Sequence, residues 1–107
     1  MSTDPPRPVQ AIVDAANSGD TAAFLAAFTT EGVVDDWGRE FRGATEIAGW
    51  SNAEFIGVAV ELTVVGVERD GDHTVVAAQV GGNGFNGPSH FAFETAGGLV
   101  SRMTIRQ

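Results

Sequence analysis

The hydrophobic pattern of this chain changes period midway, from helical spacing in its first half to strand alternation in its second. Val58–Glu68, His73–Gly81, Ser89–Thr95 and Leu99–Arg106 are each rich in β-formers, and Asp70-Gly71-Asp72 and Ala96-Gly97-Gly98 are hairpin-type connectors. Four consecutive strands joined this way form an antiparallel meander, which must cover at least one of its faces. The cover has to come from the residues that precede it.

Those residues predict two or three helices. Val9, Ile12, Val13 and Ala16 recur at helical spacing, and Asn17-Ser18-Gly19 breaks the run. Asp20 can cap a second helix over Thr21–Phe28, antiparallel to the first, with Phe24 and Phe28 on one face that belongs to the core. Glu31-Gly32 reads as a turn, Val33–Asp36 as a short strand and Trp37–Gly43 as a return segment. Thr45 can cap a third, weaker helix in which Ile47 and Trp50 share a face and which ends near Asn52. The expected class is α+β, with helices packed into a strongly curved antiparallel sheet around a pocket. Pro5, Pro6 and Pro8 make residues 1–8 a flexible, extended arm, and 9–107 the one domain.

Composition narrows the function. At 107 residues, 43% of them hydrophobic, there is material for one core and not for two. A formal charge of -8, from 14 acidic and 6 basic side chains, repels polyphosphate backbones and anionic lipid headgroups. Neither nucleic acid nor a membrane is an expected partner. The chain has no cysteine, so disulfides and thiolate metal sites are excluded. The first ten residues lack the apolar stretch of a signal peptide, and no apolar run approaches the roughly 20 residues that span a bilayer. A soluble, cytoplasmic protein is the expectation.

Two strands read as apolar on both faces. Val60, Leu62 and Val64 point one way and Val65 and Val67 the other, while Val75 and Ala77 oppose Val76, Ala78 and Val80. The helices can cover one face, so a homodimer through the sheet is expected to cover the other.

Candidate chemistry is sparse. Gly82, Gly84 and Gly87 match the spacing of a dinucleotide-binding loop, but Pro88 and a strand follow where that motif needs a helix. The segment is read as an inter-strand loop whose Phe85 lines a pocket mouth or a dimer contact. Asp35 and Asp36 are adjacent in an extended segment, so they project to opposite sides and only one can face a cavity. A carboxylate set among Trp37, Trp50 and Phe55 would be desolvated and suited to proton transfer; the competing reading pairs it with Arg39 or Arg42 in water. His73 and His90 lie in different strands without other residues at ligand spacing, and His90 is expected to point outward, so no metal is expected. No nucleophile elbow occurs.

Taken together, Asn17-Ser18-Gly19-Asp20, Ala27-Phe28, Val34-Asp35-Asp36, Gly43 to Ile47, Phe91-Ala92-Phe93 and Met103-Thr104-Ile105 make nearly the whole chain after residue 9 resemble a nuclear transport factor 2-like (NTF2-like) protein. Within that superfamily it is most similar to the SnoaL-like and ketosteroid-isomerase-like branch. The resemblance implies a cone-shaped sheet wrapped around the helices. It places the ketosteroid isomerase general base on Asp36, the family's oxyanion-hole tyrosine on Ile12 and its protonated aspartate on Ser89. A chain without tyrosine lacks that donor pair, each member of which is typically worth about 10²- to 10³-fold in rate. Neither the arginine-bridged aspartates of limonene epoxide hydrolase nor the tyrosine and histidine of scytalone dehydratase are found.

The resemblance thus implies a small-molecule-binding protein that needs no cofactor. Asp36 is its candidate acid/base, Trp37, Trp50, Phe55 and Phe85 shape the pocket, and Ser89 is a polar contact. The substrate class is an apolar or aromatic metabolite, and the implied chemistry is isomerisation, cyclisation or dehydration. The four aromatic residues read equally well as core. The rival is a non-catalytic homodimeric carrier or protein-interaction domain, since relatives include non-enzymes.

Overall fold

Local signals start and stop most elements of the computed structural model, which describes residues 5–107. Helix α1 (Arg7–Ser18) begins inside the expected arm, because Pro8 in the first turn loses no hydrogen bond. Of that arm, residues 1–4 lie outside the described residues. The helix buries Val9, Ile12, Val13, Ala15 and Ala16, and ends at Gly19, whose φ of 69° suits the left-handed cap that glycine adopts without strain. Asp20 then caps α2 (Thr21–Ala26) by accepting a hydrogen bond from Ala23 N at 3.0 Å.

Helix α2 is shorter than expected. Strand β1 (Phe28–Asp36) begins almost at once, and Val100 N bonds Ala27 O at 2.8 Å, so sheet pairing overrides a helix-forming sequence. The expected turn at Glu31-Gly32 is instead an irregularity inside β1, where the register with its neighbour slips between Phe28 and Val33. Strand β2 (Arg39–Arg42) returns antiparallel to β1, and α3 (Gly43–Glu54) starts ahead of Thr45 and runs past Asn52. A single 3₁₀ turn (Ile56–Val58) leads into β3 (Glu61–Asp70), β4 (His73–Gly81), β5 (Gly87–Ala96) and β6 (Leu99–Arg106). No helix of the described residues is long and apolar enough to cross a membrane.

The six strands form one sheet in the order β2-β1-β6-β5-β4-β3. The meander β3 to β6 is antiparallel as expected, but β1 joins β6 in parallel, so the sheet is mixed and not wholly antiparallel. The reason is topological: α3 and the 3₁₀ turn carry the chain from the β1–β2 edge to the far edge at β3, and the meander works back. Phe24, Ile12, Phe93, Met103 and Val76 are among the fully buried side chains between helices and sheet. Asn17 fastens α1 to β3, donating to Leu62 O at 3.0 Å and accepting from Leu62 N at 2.7 Å.

The outer face is more mixed than expected. A bulge between Val64 and Gly66 leaves Val65 71% exposed and returns Val67 to the core side, where it packs against buried residues. His90 points outward as expected, opposite buried Ser89 and Phe91.

The same face carries the ion cluster that ties β1 to its neighbours. Asp35, 7% exposed, accepts from Arg102 at 2.7 Å and Arg106 at 3.1 Å, and Arg102 also reaches Glu40 of β2 at 2.8 Å. The Arg106 hydrogen bond chiefly, helped by Gly38 N–H and Arg102, holds the Asp35 carboxyl below the usual aspartate value against the opposing effect of burial. Glu40 first, and then Asp35, raises the Arg102 pKa. A carboxyl lowered on folding stabilises the native state fully above its unfolded value of 3.8, and that contribution disappears as pH falls through the lower folded value. The melting temperature of the wild type should therefore drop more steeply than that of Asp35→Asn between about pH 5 and about pH 2. Parallel curves in a pH-dependent calorimetry series would remove Asp35 as the cause.

Candidate functional site

A cavity of about 350 Å³ opens between the end of α3, the β1–β2 turn and the β4–β5 loop, near the lower end of the volumes that hold small ligands. The six residues singled out from the sequence, Asp36, Trp37, Trp50, Phe55, Phe85 and Ser89, all line it. Strand alternation does the first sorting: Val34 and Asp36 face inward while Asp35 faces the outer cluster.

Asp36 is not surrounded by rings alone. Its Oδ2 accepts from Arg39 at 2.6 Å and from Trp50 Nε1 at 3.0 Å, and its side chain is 16% exposed. This carboxylate has an aromatic wall on one side and an arginine on the other. Arg39 also grips Glu54, with Nη2 to Oε1 at 2.7 Å and Nη1 to Oε2 at 3.0 Å. That double contact pulls the Glu54 carboxyl below its usual value and raises the Arg39 pKa, with Asp36 adding to the arginine's rise.

The rings divide into wall and mouth. Trp50 stacks on Phe55 at 4.9 Å between centroids and has Phe41 at 6.1 Å, which leaves its N–H edge for Asp36. Phe55 also meets Phe24 and Phe91, at 5.6 and 6.4 Å, so Trp50 and Phe55 are core on one side and line the cavity on the other. Trp37 and Phe85 sit at the mouth, 58% and 57% exposed. Ser89 is 4% exposed on the inner face of β5 and lines the cavity.

The β4–β5 loop is the inter-strand loop that Pro88 indicated. Asn83 N bonds Val58 O at 2.8 Å, and a Cβ at Gly82 would stand 2.5 Å from Ala59 O, so only glycine lets the loop lie against the 3₁₀ turn. Sequence reasoning missed Glu54, Val58, Val60, Val80, Phe91 and Ile105 from the lining. Glu54 was legible as the position four beyond Trp50 on one helical face, had the helix been carried past Asn52. The described residues contain no group of three or more His, Asp or Glu that could hold a metal ion.

Trp37 and Gly38 have φ of 55° and 90°, the left-handed pair of a two-residue hairpin turn joining Asp36 to Arg39. A bulky residue there carries strain of about 1–2 kcal/mol, tolerated where the turn holds an indole at the cavity mouth. Trp37→Asn should raise stability in urea denaturation by about 1 kcal/mol, since asparagine adopts this conformation at little cost. A clear loss of stability would mean that the ring's contacts outweigh the strain.

No family model matches the chain, and no curated protein matches it. Solved structures do. A candidate polyketide cyclase from Sinorhizobium meliloti is 26% identical, with a TM-score of 0.86 over 99% of both chains. A protein from Catenulispora acidiphila with a ketosteroid-isomerase-like fold, in complex with trimethylamine, is 24% identical, with a TM-score of 0.82 over 97% of this chain and 87% of that one. A computationally designed 17-OHP binder is 14% identical, with a TM-score of 0.81 over 96% and 92% of the two chains.

Proposed function

We propose that this chain, an NTF2-like protein of the SnoaL-like and ketosteroid-isomerase-like branch, binds a small apolar or aromatic metabolite in its cavity and transforms it without a cofactor, with Asp36 as the proton acceptor. The observation that carries this reading is the setting of Asp36: a carboxylate in the wall of an otherwise largely apolar cavity, held by two donors on one oxygen. Both donors take Oδ2, which leaves Oδ1 without a side-chain donor among the described residues and open to a proton. Isomerisation, cyclisation and dehydration can each begin by removing a proton from an activated carbon, a step a positioned base typically speeds by about 10²- to 10⁴-fold. The Ser89 hydroxyl is the polar group available on the inner wall for oxygen developing negative charge. Neighbours described with trimethylamine and as a 17-OHP binder support a small-molecule occupant.

Thermal shifts against steroids, polycyclic aromatics, terpenoid epoxides and flat phenolics locate the class, since a ligand at 100 times its Kd adds about 2.7 kcal/mol. With a turned-over compound in hand, Asp36→Asn should lower kcat, measured at saturating substrate, by at least about 10²-fold. Unchanged turnover would end the assignment of Asp36 as base.

The second reading, a non-catalytic homodimeric carrier or interaction domain, is favoured by Val65, which protrudes from its bulge beside half-buried Val75, Ala77 and Ala92 on the outer face. Association through that face is compatible with either activity. Sedimentation velocity should then show a dimer that Ala77→Arg dissociates; a wild-type monomer across the concentration range would rule it out.

A further inference from the structure

We infer that the occupant of this cavity carries a protonated amine on its apolar skeleton, an inference that rests on the small-molecule reading above. Among the described residues, the charged ones lining the cavity are Asp36 and Glu54, both carboxylates, and no lysine, arginine or histidine lines it. The nearby guanidinium is that of Arg39, already engaged by both: 2.6 Å from Asp36 Oδ2 and 2.7 Å from Glu54 Oε1. Two carboxylates against one guanidinium leave the site one unit negative, within a chain of formal charge -8. The two donors to Asp36 both use Oδ2, which leaves Oδ1 to accept a further hydrogen bond.

The remaining surfaces agree with such a ligand. Trp37 and Phe85 present exposed rings at the mouth, and the faces of aromatic rings attract alkylammonium groups, tryptophan most strongly. Val80, Phe91 and Ile105 offer only apolar surface to the ligand's other end. Ser89, 4% exposed and lining that same wall, makes no side-chain hydrogen bond within the described residues, so its hydroxyl is available to a polar substituent there. An anion would meet two carboxylates on entry, and a compound without an N–H or O–H would leave Oδ1 without a donor. An alkylammonium satisfies both the oxygen and the rings.

Three compounds of nearly one shape test this directly: N,N-dimethylbenzylammonium, its uncharged carbon counterpart isobutylbenzene, and phenylacetate. Titrated against the full chain by NMR, the ammonium should bind about tenfold more tightly than the hydrocarbon, the scale of one desolvated cation–π or charge-assisted contact. Phenylacetate should bind more weakly than either. Asp36→Asn should erase most of the ammonium's advantage and leave isobutylbenzene unaffected, and Glu54→Gln, on an exposed helix end, should reduce that advantage in the same direction. Hydrocarbon binding equal to or tighter than ammonium binding would overturn the amine and leave the cavity reading standing. Silence from all three compounds would overturn both.

Discussion

The parallel pairing of β1 with β6 is the constraint on which the rest of the molecule hangs. It places Val34 and Asp36 on the inner, cavity side and Asp35 on the outer side, and once that register is set the two aspartates cannot exchange faces. The choice is reinforced from outside, where Arg102 and Arg106 both hold Asp35. A slip of one residue would bury Asp36 against two arginines that it does not need and turn Asp35 into the cavity. Two adjacent, chemically identical side chains are thus sent to opposite faces of the sheet.

Arg39 is the second organising element, because it joins parts of the chain that local sequence does not connect. It lies just beyond the β1–β2 turn, yet it bridges Asp36 at the end of β1 to Glu54 at the end of α3. Exposed ion pairs contribute little stability by themselves. Here the geometry matters more than the energy, since Arg39 and the Trp50 N–H both fix one oxygen of Asp36 and thereby decide which way the other points. The strained turn between Asp36 and Arg39 serves the same end of the cavity by lifting an indole to its rim.

These features explain why the fold alone says little about chemistry. The molecule shares its architecture with structures described as a candidate cyclase, as ketosteroid-isomerase-like and as a designed binder, and one container serves many reactions. The lining of this chain's cavity combines carboxylates, rings and the Ser89 hydroxyl, in a sequence that has no tyrosine.

Period and punctuation made much of the fold legible. Alternation marked β4 and β6 at their observed ends, Gly19 and Asp20 marked the break between helices, and alternation put Ser89, Phe91 and Phe93 inward and His90 outward. Adjacency in a strand required that Asp35 and Asp36 diverge. Which of them faces the cavity was named through the family resemblance, because alternation is symmetric between two neighbours. Tertiary structure decided what depends on partners distant in sequence: the early end of α2, where Ala27 O is taken by Val100 N; the parallel β1–β6 pair; the bulge that sends Val67 inward; and the arginine that reaches Glu54. The physical reason is common to all four. Periodicity reports the faces of an element, whereas hydrogen bonds and ion pairs between elements exist only once the chain has brought them together.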